Sequence, residues 1–236
     1  MLQILICLSL HFCLYDNPCY IFNDLQSQIR EGFIQKQEAK TQFKQLVPQL
    51  KQYFIDNGGV EVPRENWFFP VQGYNHVSIG GNGRGYIAKG YDYFDGNKST
   101  AHPAHDIFIK DDNHDDADDR TETLVNVRSM SCGVVVAVVN DWQPESELRG
   151  GKSVMIYDPV TNALFAYAHH SFVFSGVGDI VRAGDVIGTV GRTGKSAYAA
   201  KSPTHLHISY MKIGADTLPR PENIYTDLVR AGKNSH

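Results

Sequence analysis

The chain has 236 residues, of which 42% are hydrophobic and 20% are charged, so it can bury a core and is not a disordered chain. Lysine and arginine number 22 against 26 aspartates and glutamates, which gives a formal charge of −4. Nucleic-acid binders carry a basic surplus, so we expect no nucleic-acid partner. Cys7, Cys13, Cys19 and Cys132 form no CxxC pair, which argues against a thiolate zinc site or a disulfide framework.

The first residues of the chain are almost entirely apolar. Residues 1–15 are too few to cross a bilayer comfortably, and they resemble the hydrophobic part of a secretory signal. No lysine or arginine precedes them, and no clear cleavage site follows. We predict a signal or anchor segment over residues 1–21, with a buried helix or a misassigned start as alternatives. Export would place the protein in the periplasm or cell envelope, and this segment would be its only membrane contact.

Residues 22–56 carry a helical pattern, and we assign residues 22–59 to a helical appendage. Pro48 is expected to kink or interrupt the helix, and Asn57-Gly58-Gly59 to end it. The apolar stripe consists of Leu25, Ile29, Phe33, Phe43, Leu46, Leu50 and Phe54. This stripe predicts a helix packed on the main domain or on a partner. An inhibitory or docking segment is the alternative.

From Val60 onward, short β-branched or aromatic runs alternate with glycine-rich turns. This pattern is typical of a mainly β domain, which we place at residues 60–236. The runs that predict strands are 134–139, 153–157, 164–170, 185–191 and 205–210.

The segment His205-Leu206-His207 lies in one of these predicted strands. Side chains alternate along a strand, so the two histidines share a face, while Leu206 and the apolar residues after it face the core. Two imidazoles on one face suit a metal site or a proton-transfer site. Alone, the pattern is weak, since surface histidines also pair in this way.

Two further segments each contain two closely spaced histidines. In His102-Pro103-Ala104-His105-Asp106, a loop leads into a strand, and His102 and Asp106 can converge on one cation. The alternative is a turn histidine and an ordinary carboxylate at a strand edge. In Tyr167-Ala168-His169-His170, strand parity places His169 on the same face as Phe165 and Tyr167. Parity alone does not decide which of these two histidines is functional.

Together, the HxxxD, Tyr-Ala-His and His-Leu-His motifs, in this order, resemble those of the M23 zinc metallopeptidases, the lysostaphin/LytM-like group. The glycine-spaced stretch 177–188 and the turn 191–196 are similar to that family as well. The resemblance covers about residues 68–211. It implies a compact antiparallel β-sheet metallopeptidase domain with an open groove, preceded here by the helical segment.

The resemblance also implies roles for individual residues. Zinc would be held by His102, Asp106 and His207, and the catalytic histidines beside it would be His169 and His205. Three protein ligands leave a position open for water, as a catalytic zinc site requires. The family usually has glycine where this chain has Ala104, and histidines at 105 and 170 adjoin the motifs.

An acidic insertion follows the HxxxD motif. Residues 110–122 hold seven acidic and two basic residues, a local charge of −5 that leaves the rest of the chain at +1. Asp111, Asn113, Asp115, Asp119 and Glu122 follow the spacing of a calcium-binding loop, but the sixth position lacks the required glycine. A Ca²⁺ site over 111–122 is therefore one hypothesis, and a solvated acidic loop is the other.

The function that the resemblance implies is zinc-dependent hydrolysis of amide bonds in the peptide part of peptidoglycan. Peptidoglycan peptide is then the expected substrate. The first alternative is a non-catalytic envelope scaffold that binds peptidoglycan or activates a separate hydrolase. The second is a general secreted peptidase. The sequence predicts neither the bond that is cleaved nor the oligomeric state.

Overall fold

The computed structural model describes residues 17–98, 101–198 and 202–234. The predicted signal or anchor segment lies largely outside these residues, and its last residues, from Pro18, already belong to the first helix. The helices are α1 (Pro18–Glu31), α2 (Lys36–Asp56) and α3 (Tyr225–Asn234), and short 3₁₀ turns occupy Arg64–Asn66, His76–Ser78, Gly80–Gly83 and Tyr93–Lys98. None of the described helices has the length and apolar content needed to span a membrane.

Antiparallel strands are the main regular elements of the chain after residue 103, as the sequence predicts. They are β1 (Ala104–Phe108), β2 (Ala117–Asp118), β3 (Thr123–Leu124), β4 (Asn126–Arg128), β5 (Gly133–Val139), β6 (Ser153–Asp158), β7 (Ala163–Ala168), β8 (His170–Val173), β9 (Ile180–Val181), β10 (Val186–Val190), β11 (His205–Ile213) and β12 (Pro219–Pro221). Each of the five predicted strand segments overlaps one or two of them. The predicted mainly β fold with an N-terminal helical segment is confirmed.

A large sheet carries the strands in the order β1-β11-β7-β6-β5-β9, with β12 added beside β11. A smaller sheet has the order β4-β10-β8, and β2 pairs with β3. Residues 60–98 and 101–103 form turns and isolated bridges rather than the regular strands expected from Val60 onward. Glycine is frequent between residues 73 and 96, and it disfavours long strands.

Each face of the large sheet buries its own apolar cluster. One cluster lies between the large sheet and the small sheet, and it includes Phe165, Tyr167 and Leu206. The other lies between the large sheet and helices α1 and α2, and it includes Leu164 and Met211. The helical segment therefore packs on the main β domain, the first of the two expectations for its apolar stripe.

The helical segment is two helices, not the single helix predicted for residues 22–56. Helix α1 ends at Gly32, whose φ of 75° is left-handed, and the N–H groups of Gly32 and Phe33 bond the carbonyls of Ile29 and Gln28. This turn leaves Phe33 82% exposed, so Phe33 does not belong to the buried stripe. Helix α2 continues through Pro48, so of the kink or interruption expected there, the interruption does not occur. Lys44 and Pro48 are exposed, so water can bond the Lys44 carbonyl, which has no N–H partner at Pro48.

Phe33 and Phe43 give a matched test of this correction. Phe43 is fully buried and packs edge-on to Tyr93 and Phe94. We expect Phe43→Ala to lower the free energy of unfolding by about 3–5 kcal/mol, because it opens a cavity in the helix–sheet cluster. Phe33→Ala should change it by less than about 0.5 kcal/mol. Urea unfolding of both variants measures the difference, and equal losses would contradict the break at Gly32.

Candidate metal centre and active site

The side chains of strand β11 alternate between the two faces of the sheet, as predicted. Leu206 and Ile208 are fully buried in the cluster between the two sheets. His205 and His207 point to the opposite face and line a cavity of about 390 Å³. The alternation expected of a half-buried strand is therefore confirmed.

Asp106 faces these histidines because β1 pairs with β11. The antiparallel register places Asp106 directly opposite His207, and Oδ1 of Asp106 lies 3.0 Å from Nδ1 of His207. The strand begins at Ala104, so Asp106 is its third residue. Ala104, which replaces the family's usual glycine, is buried in this strand.

His102 reaches the same carboxylate from the turn before β1. Its backbone forms a two-way bridge with Ile87, and its Nδ1 lies 3.0 Å from the carbonyl oxygen of Gly85. That contact leaves Nε2 facing Oδ2 of Asp106, at 3.3 Å. The structure thus brings together His102, Asp106 and His207, with one potential ligand atom from each lying within 4.8 Å of the others.

The donor set fits zinc. Two imidazole nitrogens and one carboxylate oxygen are typical zinc ligands, and three protein ligands leave a coordination position for water or substrate. The Gly85 carbonyl holds the second nitrogen of His102, an arrangement common behind metal-binding histidines. Among the described residues this is the one group of three or more such side chains that meets the spacing of a metal site.

Hydrogen bonds with the two histidines determine the ionisation of Asp106. Burial alone would raise the pKa of Asp106, but hydrogen bonds with His102 and His207 hold this pKa well below its usual value. The same bond with Asp106 raises the pKa of His102, against the opposing effect of burial. Asp106 is therefore a carboxylate at neutral pH, as a metal ligand must be.

His169 lines the cavity because of a backbone conformation that strand parity does not predict. Strand β7 ends at Ala168, and His169 has a left-handed φ of 69°. This conformation interrupts the alternation, so His169 turns away from Phe165 and Tyr167, and the predicted shared face is wrong. Its N–H donates to the Gly150 carbonyl at 3.0 Å. Its ring centroid lies 4.8 Å from that of His205.

His169 and His205 are held in the same way. Nδ1 of His169 lies 2.7 Å from the Thr193 carbonyl oxygen, and Nδ1 of His205 lies 2.7 Å from the Pro203 carbonyl oxygen. A carbonyl only accepts, so each Nδ1 carries the proton in the neutral ring and each Nε2 keeps its lone pair. Nε2 of His205 lies 3.8 Å from Asp106. Both rings therefore offer a proton acceptor beside the candidate metal site.

Burial keeps these two rings neutral. It lowers the pKa of His169 well below its usual value, and the charges of neighbouring histidines add to the effect. Burial also lowers the pKa of His205, although the charge of Asp106 opposes this. At neutral pH both imidazoles are therefore able to accept a proton or, after accepting one, to donate a hydrogen bond.

The two histidines adjacent to the motifs lie elsewhere. His170 is fully buried, and its Nδ1 lies 3.1 Å from the Thr189 carbonyl oxygen. His105 is buried on the other side of β1, where its Nε2 lies 3.0 Å from the side-chain oxygen of Asn223. Neither lines the cavity, so the five residues predicted from the sequence are also the five that the structure brings together.

The calcium hypothesis for residues 111–122 finds no support. Asp111 accepts N–H bonds from Asp115 and Asp116 and the hydroxyl of Thr204. Asp119 accepts from the N–H of Asp112. These carboxylates satisfy the loop's own backbone, and they do not converge as a metal group in the part of the chain that the structure describes.

Loops complete the cavity wall with residues that the motif analysis did not identify. Tyr91 and Asn97 come from the segment before His102, and Arg149 comes from the loop between β5 and β6. The side-chain oxygen of Asn97 accepts the N–H of Arg149 at 3.2 Å, which joins two of these loops. None of the described residues lining this cavity comes from α1 or α2. No periodic pattern marks such loop residues, so the sequence offered no signal for them.

Comparison with known proteins finds a family match for part of the chain. Residues 113–219 match the sequence profile of Peptidase family M23. This segment belongs to peptidase family M23. The matched M23 segment includes His169, His205 and His207, while His102 and Asp106 precede it. A comparison with curated proteins finds no match.

Several solved structures are similar to the chain. One, assigned as a LytM glycyl-glycine endopeptidase from Ruminococcus gnavus, has 27% identity and a TM-score of 0.41, over 56% of this chain and 47% of that one. The antimicrobial peptidase lysostaphin from Staphylococcus simulans has 22% identity and a TM-score of 0.40, over 64% and 51%. A zinc-containing peptidase from Vibrio cholerae has 20% identity and a TM-score of 0.41, over 68% and 39%. The chain thus spans about half or less of these structures' lengths.

Zinc content tests the ligand assignment. We expect His207→Ala to lose stoichiometric zinc at neutral pH, because two remaining ligands are too few to hold it. His105→Gln is the matched control, since His105 lies next to Asp106 in sequence but on the other side of β1. Metal analysis of the purified proteins gives the result. Full zinc in His207→Ala would show that the assignment is wrong.

The buried His170 predicts a pH dependence of stability. Burial lowers its pKa to about 4, against about 6.5 for an unfolded histidine. The unfolded chain then binds the proton more readily, so this contribution is complete above pH 6.5 and is lost as the pH falls towards 4. The loss amounts to about 3 kcal/mol.

Comparison with His170→Asn separates the contribution of His170 from those of the other buried histidines. Urea unfolding between pH 7 and pH 4 should show a shallower loss of stability for the variant than for the wild type. Parallel curves for the two proteins would contradict the assignment.

Proposed function

We propose that the protein is a zinc-dependent metalloendopeptidase that hydrolyses amide bonds in peptidoglycan peptides. The observation that carries the proposal is the convergence of His102, Asp106 and His207 beside two buried, neutral histidines in an open cavity. The M23 segment supports a peptidase. The resemblance to that family implies the peptide part of peptidoglycan as the substrate.

The roles of the site residues follow from their atoms. Zinc held by His102, Asp106 and His207 would polarise a carbonyl and lower the pKa of a water molecule. His169 and His205 each present Nε2 to the cavity. One of them would accept the proton of the attacking water, and the other, once protonated, would donate a hydrogen bond to the oxygen that develops negative charge.

The site fits amide hydrolysis better than glycoside hydrolysis. Glycosidases usually place two carboxylates on either side of the scissile bond. Among the described residues that line the cavity, Asp106 is the one carboxylate, and it is bonded by His102 and His207. Amide cleavage needs a nucleophile and stabilisation of an oxyanion, which the histidines and the proposed metal supply together.

Exported location remains part of the proposal. A peptidoglycan substrate lies outside the cytoplasmic membrane, and the apolar run over residues 1–15 fits an export or anchor segment. The division into segments 1–21, 22–59 and 60–236 is proposed on the same basis. In the described residues, the second segment contributes core contacts to the third through α1 and α2.

Products released from purified cell wall test the reaction. We expect new amino and carboxyl termini and no new reducing sugar ends, since the proposed bond is an amide. A chelator should abolish release, and added zinc should restore it. Mass spectrometry of the products identifies the bond. New reducing ends without new amino groups would overturn the mechanism.

Catalytic variants separate an enzyme from a scaffold. His169→Ala and His205→Ala should each keep zinc and lower the rate by about 10²–10⁴-fold. His105→Gln, on the other side of β1, should keep both zinc and rate. A protein that binds cell wall but releases no peptide would be the scaffold or hydrolase activator. Cleavage of protein substrates in preference to cell-wall peptides would indicate the general secreted peptidase.

A further inference from the structure

Arg149 brings a positive charge to the wall of the cavity that contains the histidine and aspartate cluster. Of the described residues lining this cavity, it is the one lysine or arginine. The one carboxylate, Asp106, is engaged by His102 and His207 and is directed at the candidate metal site. Arg149 is also an exposed residue.

The backbone of Arg149 is fixed relative to the catalytic histidines. Its N–H donates to the side-chain oxygen of Asn97 at 3.2 Å, and its carbonyl accepts the hydroxyl of Ser196 at 3.3 Å. The next residue, Gly150, accepts the N–H of His169 at 3.0 Å. One short segment therefore positions both the cationic side chain and a proposed catalytic histidine.

The charge and shape of the guanidinium indicate which group of the substrate Arg149 would bind. The scissile amide is uncharged before attack, and the histidines and the proposed metal would already stabilise the charge that develops on its oxygen. A carboxylate matches the guanidinium in charge and in its paired oxygen atoms, and the pair can form two parallel hydrogen bonds. A carboxylate elsewhere in the peptide would thus bind Arg149 while the amide lies at the histidines.

We propose that Arg149 binds a free carboxylate of the peptide substrate near the scissile amide, and so selects acidic peptides over their amidated forms. The inference rests on the proposed function, because it assigns specificity to the same cavity. It names Arg149 as a specificity-determining residue, separate from the residues that would bind metal or transfer protons.

A nearby lysine provides a matched control. Lys195 lies on the loop that contacts the Arg149 segment, and its N–H donates to the Leu148 carbonyl. Its ammonium pairs with Glu147, and Lys195 does not line the cavity. Lys195→Gln removes the same unit of charge from the same part of the molecule. Any effect of overall charge should therefore appear in this variant as well.

Binding can be measured without turnover. The probes are two synthetic cell-wall peptides, identical except that one has free carboxylates and the other has primary amides in their place. Calorimetry on His169→Ala should show at least about 10-fold tighter binding of the acid peptide, lost on adding Arg149→Gln and partly kept on adding Arg149→Lys. Adding Lys195→Gln should keep the preference. Higher salt should reduce it.

Kinetics on the active protein gives an independent readout. Arg149→Gln should lower kcat/KM for the acid peptide by about 10–100-fold and leave the amide peptide unchanged. Most of the change should lie in KM if the bond forms equally in the ground state and the transition state. Zinc content and melting temperature should match the wild type.

The outcomes separate this inference from the proposed function. Equal cleavage of both peptides by the wild type would overturn the role of Arg149 and leave the peptidase standing. Preferential binding of the acid peptide without any cleavage would support the role of Arg149 and overturn the peptidase. An equal loss for both peptides in Arg149→Gln, with a lower melting temperature, would show a structural arginine and overturn the inference.

Discussion

The register between β1 and β11 is the constraint on which the site depends. It places Asp106 opposite His207, and the spacing of two along β11 adds His205 on the same face. Since side chains alternate with a period of two, a slip of one residue would move Asp106 away from its histidine partners and into the core. Leu206 and Ile208 resist this slip, because they are fully buried on the other face. The apolar core of the sheet therefore fixes the geometry of the polar cluster.

The sequence predicted the parts of the molecule that obey a local period. The alternation in β11 needs no tertiary information, and neither does the apolar repeat along α2. The position of His169 was different, because its φ of 69° reverses the face that parity assigns. No feature of the sequence predicts a left-handed conformation at His169. Its bonds to Gly150 and Thr193, which stabilise that conformation, are seen only in the structure. Arg149 was missed for a related reason, since loop residues meet the cavity through tertiary packing.

The end of helix α1 is another feature that the spacing of apolar residues does not predict. Leu25, Ile29 and Phe33 share a spacing of four, but the spacing does not show whether the chain remains helical at Gly32. The left-handed turn at Gly32 directs Phe33 into solvent, while Phe22 and Phe43 pack against each other across the two helices. The two helices cover one end of the sheet face that carries the site, and Met211 both lines the cavity and lies in the helix-covered core. The helices thus support the floor of the cavity without entering it.

The site has two halves with different supports. The proposed ligands Asp106 and His207 lie on paired strands, whereas His169 depends on contacts between two loops. Those loops meet closely at Gly151 and Gly194, where a Cβ on Gly151 would lie 2.3 Å from the backbone nitrogen of Gly194. Both glycines have a positive φ, so a larger side chain there would separate the loops. The left-handed His169 costs about 1 kcal/mol or more, which the surrounding bonds must offset. The proposed proton transfer by His169 is therefore more sensitive to these loops than the positions of Asp106 and His207, which lie on paired strands.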